Sequence, residues 1–187
     1  MKPSLSVFLL AFVLQLTAQD KYANTYVCTK GKIHFFSASP LEDIEATSND
    51  AKLVLNTLDK SVNVKITQTS FVFKDKLMQE HFNENYIESD KYPLSLLNMA
   101  IVENIDFTKD GTYDVTLKGT LDMHGVKQAR EIKGKIVISK GMPSRATAAF
   151  EVKLVDHKIK IPKAVIMNIA EVIKVDVDFA LEKYEKK

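Results

Sequence analysis

Four histidines, His34, His81, His124 and His157, are the side chains best suited to hold a metal or move a proton near neutral pH. Metal sites recur in the sequence as close pairs such as HxH or HExxH, because that spacing points two rings at one ion. None of the four stands at such a spacing. His34 falls on an expected strand and His81 beside Phe82 on an expected helix. His124 and His157 fall in expected turns, and all four read as surface or capping histidines. Cys28, the single cysteine, has no helix start or neighbouring cation to activate its thiol and reads as inert. Alone, it forms neither an internal disulfide nor a cysteine zinc cage. There is no GxSxG elbow and no glycine-rich phosphate loop. The carboxylates alternate with lysines, as on a solvated exterior. A catalytic cluster would have to be assembled by folding from residues far apart in the chain.

The composition narrows the classes further. Twenty-six basic residues stand against 24 acidic ones in 187, a net charge of +2. That balance gives no excess of cations for phosphates, so a nucleic-acid partner is not expected. The 45% apolar content is enough for a core and excludes a disordered chain. No repeat or linker divides the chain, and one domain is expected.

The apolar residues fall into two populations. Residues 1–18 carry Lys2, an almost unbroken apolar run from Leu5 to Leu16, and a small-residue end at Thr17-Ala18. A run of about twelve apolar residues suits a cleaved export signal and is too short to span a bilayer. The expectation is a signal peptide over 1–18 and a mature domain over 19–187, periplasmic or secreted, with no stable membrane span.

The second population alternates. From Thr112 to Met123, Tyr113, Val115, Leu117, Leu121 and Met123 share one face, while Asp114, Thr116, Lys118, Thr120 and Asp122 share the other. Period two is the mark of a strand with one dry face. It recurs at Val62–Thr67, Ile132–Ile138, Ala148–Leu154 and Ile173–Leu181. Weaker candidates lie at 32–37, 43–46, 52–57 and 96–107. About nine candidates at this spacing suit an antiparallel sandwich or barrel. The short connectors at Lys109-Asp110-Gly111, His124-Gly125, Lys140-Gly141-Met142-Pro143 and Asp156-His157-Lys158 suit an up-and-down meander.

One segment breaks the alternation. In 75–93, Leu77, Met78, His81, Phe82 and Tyr86 follow a helical stripe, Asp75 is placed to cap it, and Pro93 ends it. A second short helix is expected at Lys163–Ile169. If the strands close, every dry face points inward. A barrel of about eight strands is either filled by its side chains or holds one small ligand. Alternation alone fits both.

The segment Met78-Gln79-Glu80-His81-Phe82, running through Tyr86 to Tyr92-Pro93, resembles the central motif of the YceI-like family. That motif is a short helix with a His beside an aromatic, followed by Tyr-Pro entering a strand. Gly119-Thr120-Leu121-Asp122-Met123-His124-Gly125-Val126 resembles the family's second hallmark, a strand running into a hairpin turn. The likeness covers most of residues 27–182. It implies an all-β, lipocalin-like, antiparallel up-and-down barrel of about eight strands with one or two short helices. It also implies a binding protein rather than an enzyme. The ligand would be a long amphiphilic lipid, a polyisoprenoid or isoprenoid quinone, stored or carried outside the cytoplasm.

On that reading the lumen wall is Phe35, Val64, Ile66, Phe71, Phe73, Leu97, Met99, Tyr113, Val115, Leu117, Phe150, Val152, Val175 and Val177. Leu77, Met78 and Phe82 would cover one mouth. Tyr86, Tyr92 and His81 are candidates to hold a polar head group. No metal and no cofactor other than a bound polyisoprenoid is expected. Assembly as a homodimer is left open. A ligand-free structural barrel and an enzyme acting on an exported lipid are the alternatives.

Overall fold

The dry faces found in the sequence converge on one axis. The structure is a computed structural model and describes residues 22–38, 43–160 and 170–186. The expected signal peptide and the expected helix at Lys163–Ile169 lie outside the described residues. The strands in chain order are β1 (Thr25–Ser37), β2 (Ile44–Asn56), β3 (Ser61–Thr67), β4 (Val72–Phe73), β5 (Leu94–Ile101), β6 (Gly111–Met123), β7 (Val126–Ser139), β8 (Met142–Lys153), β9 (Val172–Ala180) and β10 (Glu182–Lys183). One helix, α1 (Lys76–His81), lies between β4 and β5. Hydrogen-bonded neighbours run β1–β2–β3–β5–β6–β7–β8–β9 and back to β1, so eight antiparallel strands close into a barrel. The two-residue strands β4 and β10 add to β2 and β1 at its ends. This is the expected lipocalin-like architecture.

Closure rests on β1, which pairs with β2 on one side and with β9 on the other. Its register slips between Cys28 and Ile33. A bulge of this kind bends a strand and increases its twist, which is how a sheet turns a corner. Gly31 sits at the slip, packed flat against the Phe179 ring. Opposite it, the candidates at 43–46 and 52–57 prove to be one strand, β2, because the bulge changes which residues face inward midway. The strand expected over 96–107 ends at Ile101. Pro143, expected to terminate a ladder, lies inside β8 opposite Ile138. It is tolerated there because the β7–β8 register shifts beside it, and Ser144 Oγ donates to the Val137 carbonyl.

Two hairpins use the tight turns their sequences suggest. Met123 pairs with Val126 and Ser139 with Met142, leaving two-residue loops with positive φ throughout (His124 53°, Gly125 70°; Lys140 56°, Gly141 68°). The Asp110 carboxylate accepts the backbone N–H groups of Lys140 and Gly141 at 3.0 and 2.7 Å, tying the loop before β6 to the β7–β8 turn. Helix α1 starts where Asp75 accepts the Met78 N–H at 2.8 Å. It then widens over Phe82–Tyr86, where the Ile87 N–H reaches back five residues to the Phe82 carbonyl at 2.9 Å.

The close approaches in the wall make a test of closure. A Cβ on Gly31 would lie 2.1 Å from Phe179 Cδ1, and one on Gly119 would lie 2.0 Å from the Asn98 carbonyl oxygen. The first obstacle is a side chain and the second is main chain. Gly31→Ala is expected to cost about 1–3 kcal/mol and to be partly rescued by Phe179→Leu. Gly119→Ala costs more and has no such rescue, because it forces β5 from β6. Urea denaturation of the wild type and these three variants measures this, and equal stabilities for the two alanine variants would contradict it.

Candidate lipid-binding lumen

The inward faces do not meet. Between them runs a cavity in which the centre of a water molecule has about 230 Å³ to move. One water needs only ~10–15 Å³ of such space, so this is no packing defect. Its floor is Phe179, Val62, Leu53 and Met99, and Leu55, Ile101 and Ile138 fill the barrel end beyond it. Small residues create the width. Ala146 and Ala148 of β8 line the lumen, and Gly134 of β7 pairs with Ala148, where a Cβ on the glycine would come within 2.7 Å of the Thr147 carbonyl oxygen.

Fifteen expected wall and mouth residues lie on the cavity. Phe35 comes from β1, Val64 and Ile66 from β3, and Phe71 and Phe73 from the segment around β4. Leu97 and Met99 come from β5, Val115 and Leu117 from β6, Phe150 and Val152 from β8, and Val175 and Val177 from β9. Met78 and Phe82 complete the set from the helix. Two do not. Leu77 is 57% exposed on the outer side of α1, because Met78 and Phe82 are the pair that face the barrel. Tyr113 is outside the cavity lining, and its hydroxyl donates to the Lys109 carbonyl at 3.0 Å.

The helix is fixed over the mouth by aromatic packing. The Phe82 ring lies 5.0 Å from Phe73, 5.6 Å from Phe35 and 5.9 Å from Phe71. Such ring pairs contribute roughly 0.5–1.5 kcal/mol each beyond area burial. Lys74, just before α1, also bonds to Glu45 of β2.

Of the three head-group candidates, Tyr86 lines the cavity. His81 is exposed on α1. Tyr92 instead packs at a tilt against the His124 ring, 4.4 Å between centroids, and lies against Gly125, where a Cβ would come within 2.6 Å of it. The polar cavity residues Ser37, Gln68 and Ser95 went unnoticed in the sequence. Ser95 shares the inward frame of Leu97 and Met99, a usable signal, whereas Gln68 follows the end of β3 and carries none.

His124 and His157 are not surface histidines. Both are buried, His157 completely. His124 bonds the His157 carbonyl through Nδ1 at 2.9 Å and the Glu88 carboxylate through Nε2 at 2.7 Å. The His157 Nδ1–H faces the Met123 and Val126 carbonyls at 3.2 and 3.1 Å, which leaves Nε2 toward Arg130 Nη2 at 3.4 Å. Arg130 also pairs with Asp156 at 3.3 Å, while its buried Nε has no partner. One polar cluster thus joins the strap after the helix, the β6–β7 hairpin and the turn at Leu154–His157. Among the described residues, no three His, Cys, Asp or Glu side chains converge as a metal site, and His34 is elsewhere, bonded to Thr47 at 3.1 Å.

Three comparisons bear on this geometry. A family model described as the YceI-like domain matches residues 25–181. No curated protein matches the chain. Among solved structures, a polyisoprenoid binding domain from Saccharophagus degradans, implicated in plant cell wall breakdown, aligns with TM-score 0.67 and 15% identity over 87% of this chain and 99% of that one. BcnA of Burkholderia cenocepacia aligns with TM-score 0.65 and 12% identity over 81% and 96%. The Campylobacter jejuni YceI protein gives TM-score 0.62 and 17% identity over 80% and 90%. At these identities the likeness is one of fold.

The buried imidazole makes acid stability a readout of the mouth. Burial, aided by the Arg130 guanidinium, holds His157 below its ordinary value of 6.5. The unfolded chain therefore takes up a proton at a higher pH than the folded one, and stability rises with pH across that interval. The wild type is expected to lose stability as pH falls below about 6.5. His157→Asn keeps a donor for the two carbonyls without a titrating ring and removes that loss. Denaturation midpoints about one unit either side of this pH decide it. The same pH dependence in both proteins counts against it.

Proposed function

This chain belongs to the YceI-like family, and we propose that its lumen binds the apolar tail of a long-chain lipid, a polyisoprenoid or isoprenoid quinone, for storage or transport outside the cytoplasm. The observation that carries this reading is the apolar cavity itself, built from the inward faces of the barrel strands and covered by a short aromatic-anchored helix. The fold-level likeness to a polyisoprenoid binding domain supports it. The apolar run from Leu5 to Leu16 supports export, with cleavage near Ala18. No described helix is long and apolar enough to cross a membrane.

The mechanism is solvation of a hydrocarbon chain. Each buried CH₂ contributes about 0.8 kcal/mol, so a tail of about 40 carbons nominally supplies ~30 kcal/mol. Non-covalent affinity saturates near roughly 20 kcal/mol. Ordering the flexible tail must absorb the difference. Cavity depth, rather than added contact, then limits the length of tail that is held.

Native mass spectrometry after gentle purification tests this. A co-purified lipid adds mass to the protein. Ala148→Phe places a ring where β8 faces the lumen, and is expected to lower affinity for added prenyl lipid at least tenfold while the empty protein keeps its melting temperature. Apo protein in repeated preparations, together with no uptake of added prenyl lipid by the wild type, rejects the reading.

A further inference from the structure

We propose that the lumen selects lipids whose polar end is uncharged and carries a hydrogen-bond acceptor oxygen, and that Ser95 and Tyr86 supply the donors that read it. This rests on the lumen being a lipid site and adds the chemistry of the head group.

Two observations carry it. The first is a spare buried donor on an apolar cavity, with a second hydroxyl-bearing residue on the same lining. Gln68 and Ser95 are 3% and 6% exposed, and both line the lumen near its helix-covered end. Gln68 Nε2 donates to Ser95 Oγ, and the Ser95 hydroxyl proton reaches no acceptor among the described residues. Turning the Gln68 amide over moves the spare donor onto Gln68 without removing it. Tyr86, at the end of the helical segment, lines the same cavity, and its hydroxyl has no hydrogen-bond partner among the described residues. Buried donors are nearly always matched, so the spare donor of the buried Gln68–Ser95 pair, with the half-buried Tyr86 on the same lining, points to an acceptor on what fills the cavity.

The second observation is the absence of a lumenal cation among the described residues. Lys135 is the single charged residue on the wall, and its ammonium is outside, paired with Asp114 across the outer face of β6–β7. The Arg130 guanidinium belongs to the histidine cluster. A phosphate or carboxylate drawn into this lumen would be desolvated with no opposite charge, a cost that hydroxyl donors do not offset. A carbonyl, as on a prenylated quinone, accepts from a hydroxyl at little desolvation cost.

Calorimetric titration with three ligands of equal tail, a geranylgeranyl-substituted naphthoquinone, geranylgeranyl monophosphate and the hydrocarbon phytane, provides the test. The wild type is expected to bind the quinone most tightly. Ser95→Ala and Tyr86→Phe each weaken quinone binding about three- to tenfold and leave phytane binding unchanged; Tyr86→Phe leaves the melting temperature of the empty protein unchanged, while Ser95→Ala lowers it because Gln68 Nε2 loses its acceptor. Monophosphate bound as tightly as the quinone overturns the proposal. So does an equal loss for quinone and phytane in both variants, which would mark the hydroxyls as structural. Phytane and quinone binding with equal affinity to the wild type overturns it too, while leaving the apolar lumen intact as a lipid site. Failure of all three ligands to bind overturns the lumen reading and this proposal together.

Discussion

Closure of the sheet through β1 is the constraint on which the rest of the molecule depends. One strand must satisfy β2 along one edge and β9 along the other, and a bulge around Gly31 lets it do both. Closure removes the exposed edges that an open sheet would present to other chains. It also sends the inward face of every long strand to the same axis. With eight strands the enclosed volume lies at the boundary between being filled and being hollow. Small residues at Ala146 and Ala148 tip this barrel toward hollow, while Leu55, Ile101, Ile138 and Phe179 keep one end shut.

A barrel closed at one end needs a covering at the other that exposes neither the cavity nor unpaired backbone. Two unlike interactions hold that covering. Phe82 enters an aromatic cluster with Phe35, Phe71 and Phe73, so the helix is bound by non-directional packing that can yield. The strap behind it is bound by directed hydrogen bonds through Glu88 to His124, and from His124 to the turn carrying His157. Both ring nitrogens of His124 face oxygens, those of the His157 carbonyl and the Glu88 carboxylate. The helix and its strap thus differ in what holds them: non-directional apolar packing for the one, hydrogen bonds of fixed direction for the other.

The residues of the site were legible in proportion to how periodic their surroundings were. Val115 and Leu117, or Val175 and Val177, stand in long alternating runs, and their inward orientation follows from period two once a barrel is assumed. Leu77 and Met78 are adjacent on a helix of six residues. Neighbouring positions on so short a helix differ by about 100° in direction, and nothing local says which one the barrel will bury. The joining of 43–46 and 52–57 into β2 was hidden for a related reason. A bulge resets the alternation, and a reset looks like an end when no partner strand is in view.

What the sequence by itself determined is the class of structure: antiparallel strands with one dry face each, one capped helix, tight turns at His124-Gly125 and Lys140-Gly141, and a likeness to one family. These follow from interactions between near neighbours, which spacing records. Only the tertiary structure decided whether the dry faces meet or stand apart, because that depends on the summed side-chain volume across eight strands from distant parts of the chain. It also decided that His124 and His157, 33 positions apart, share one buried cluster, and that the Ser95 hydroxyl, bonded by Gln68, keeps its proton without an acceptor among the described residues. A hydrogen bond is spent or spare only once every possible partner has been brought near, and folding does that.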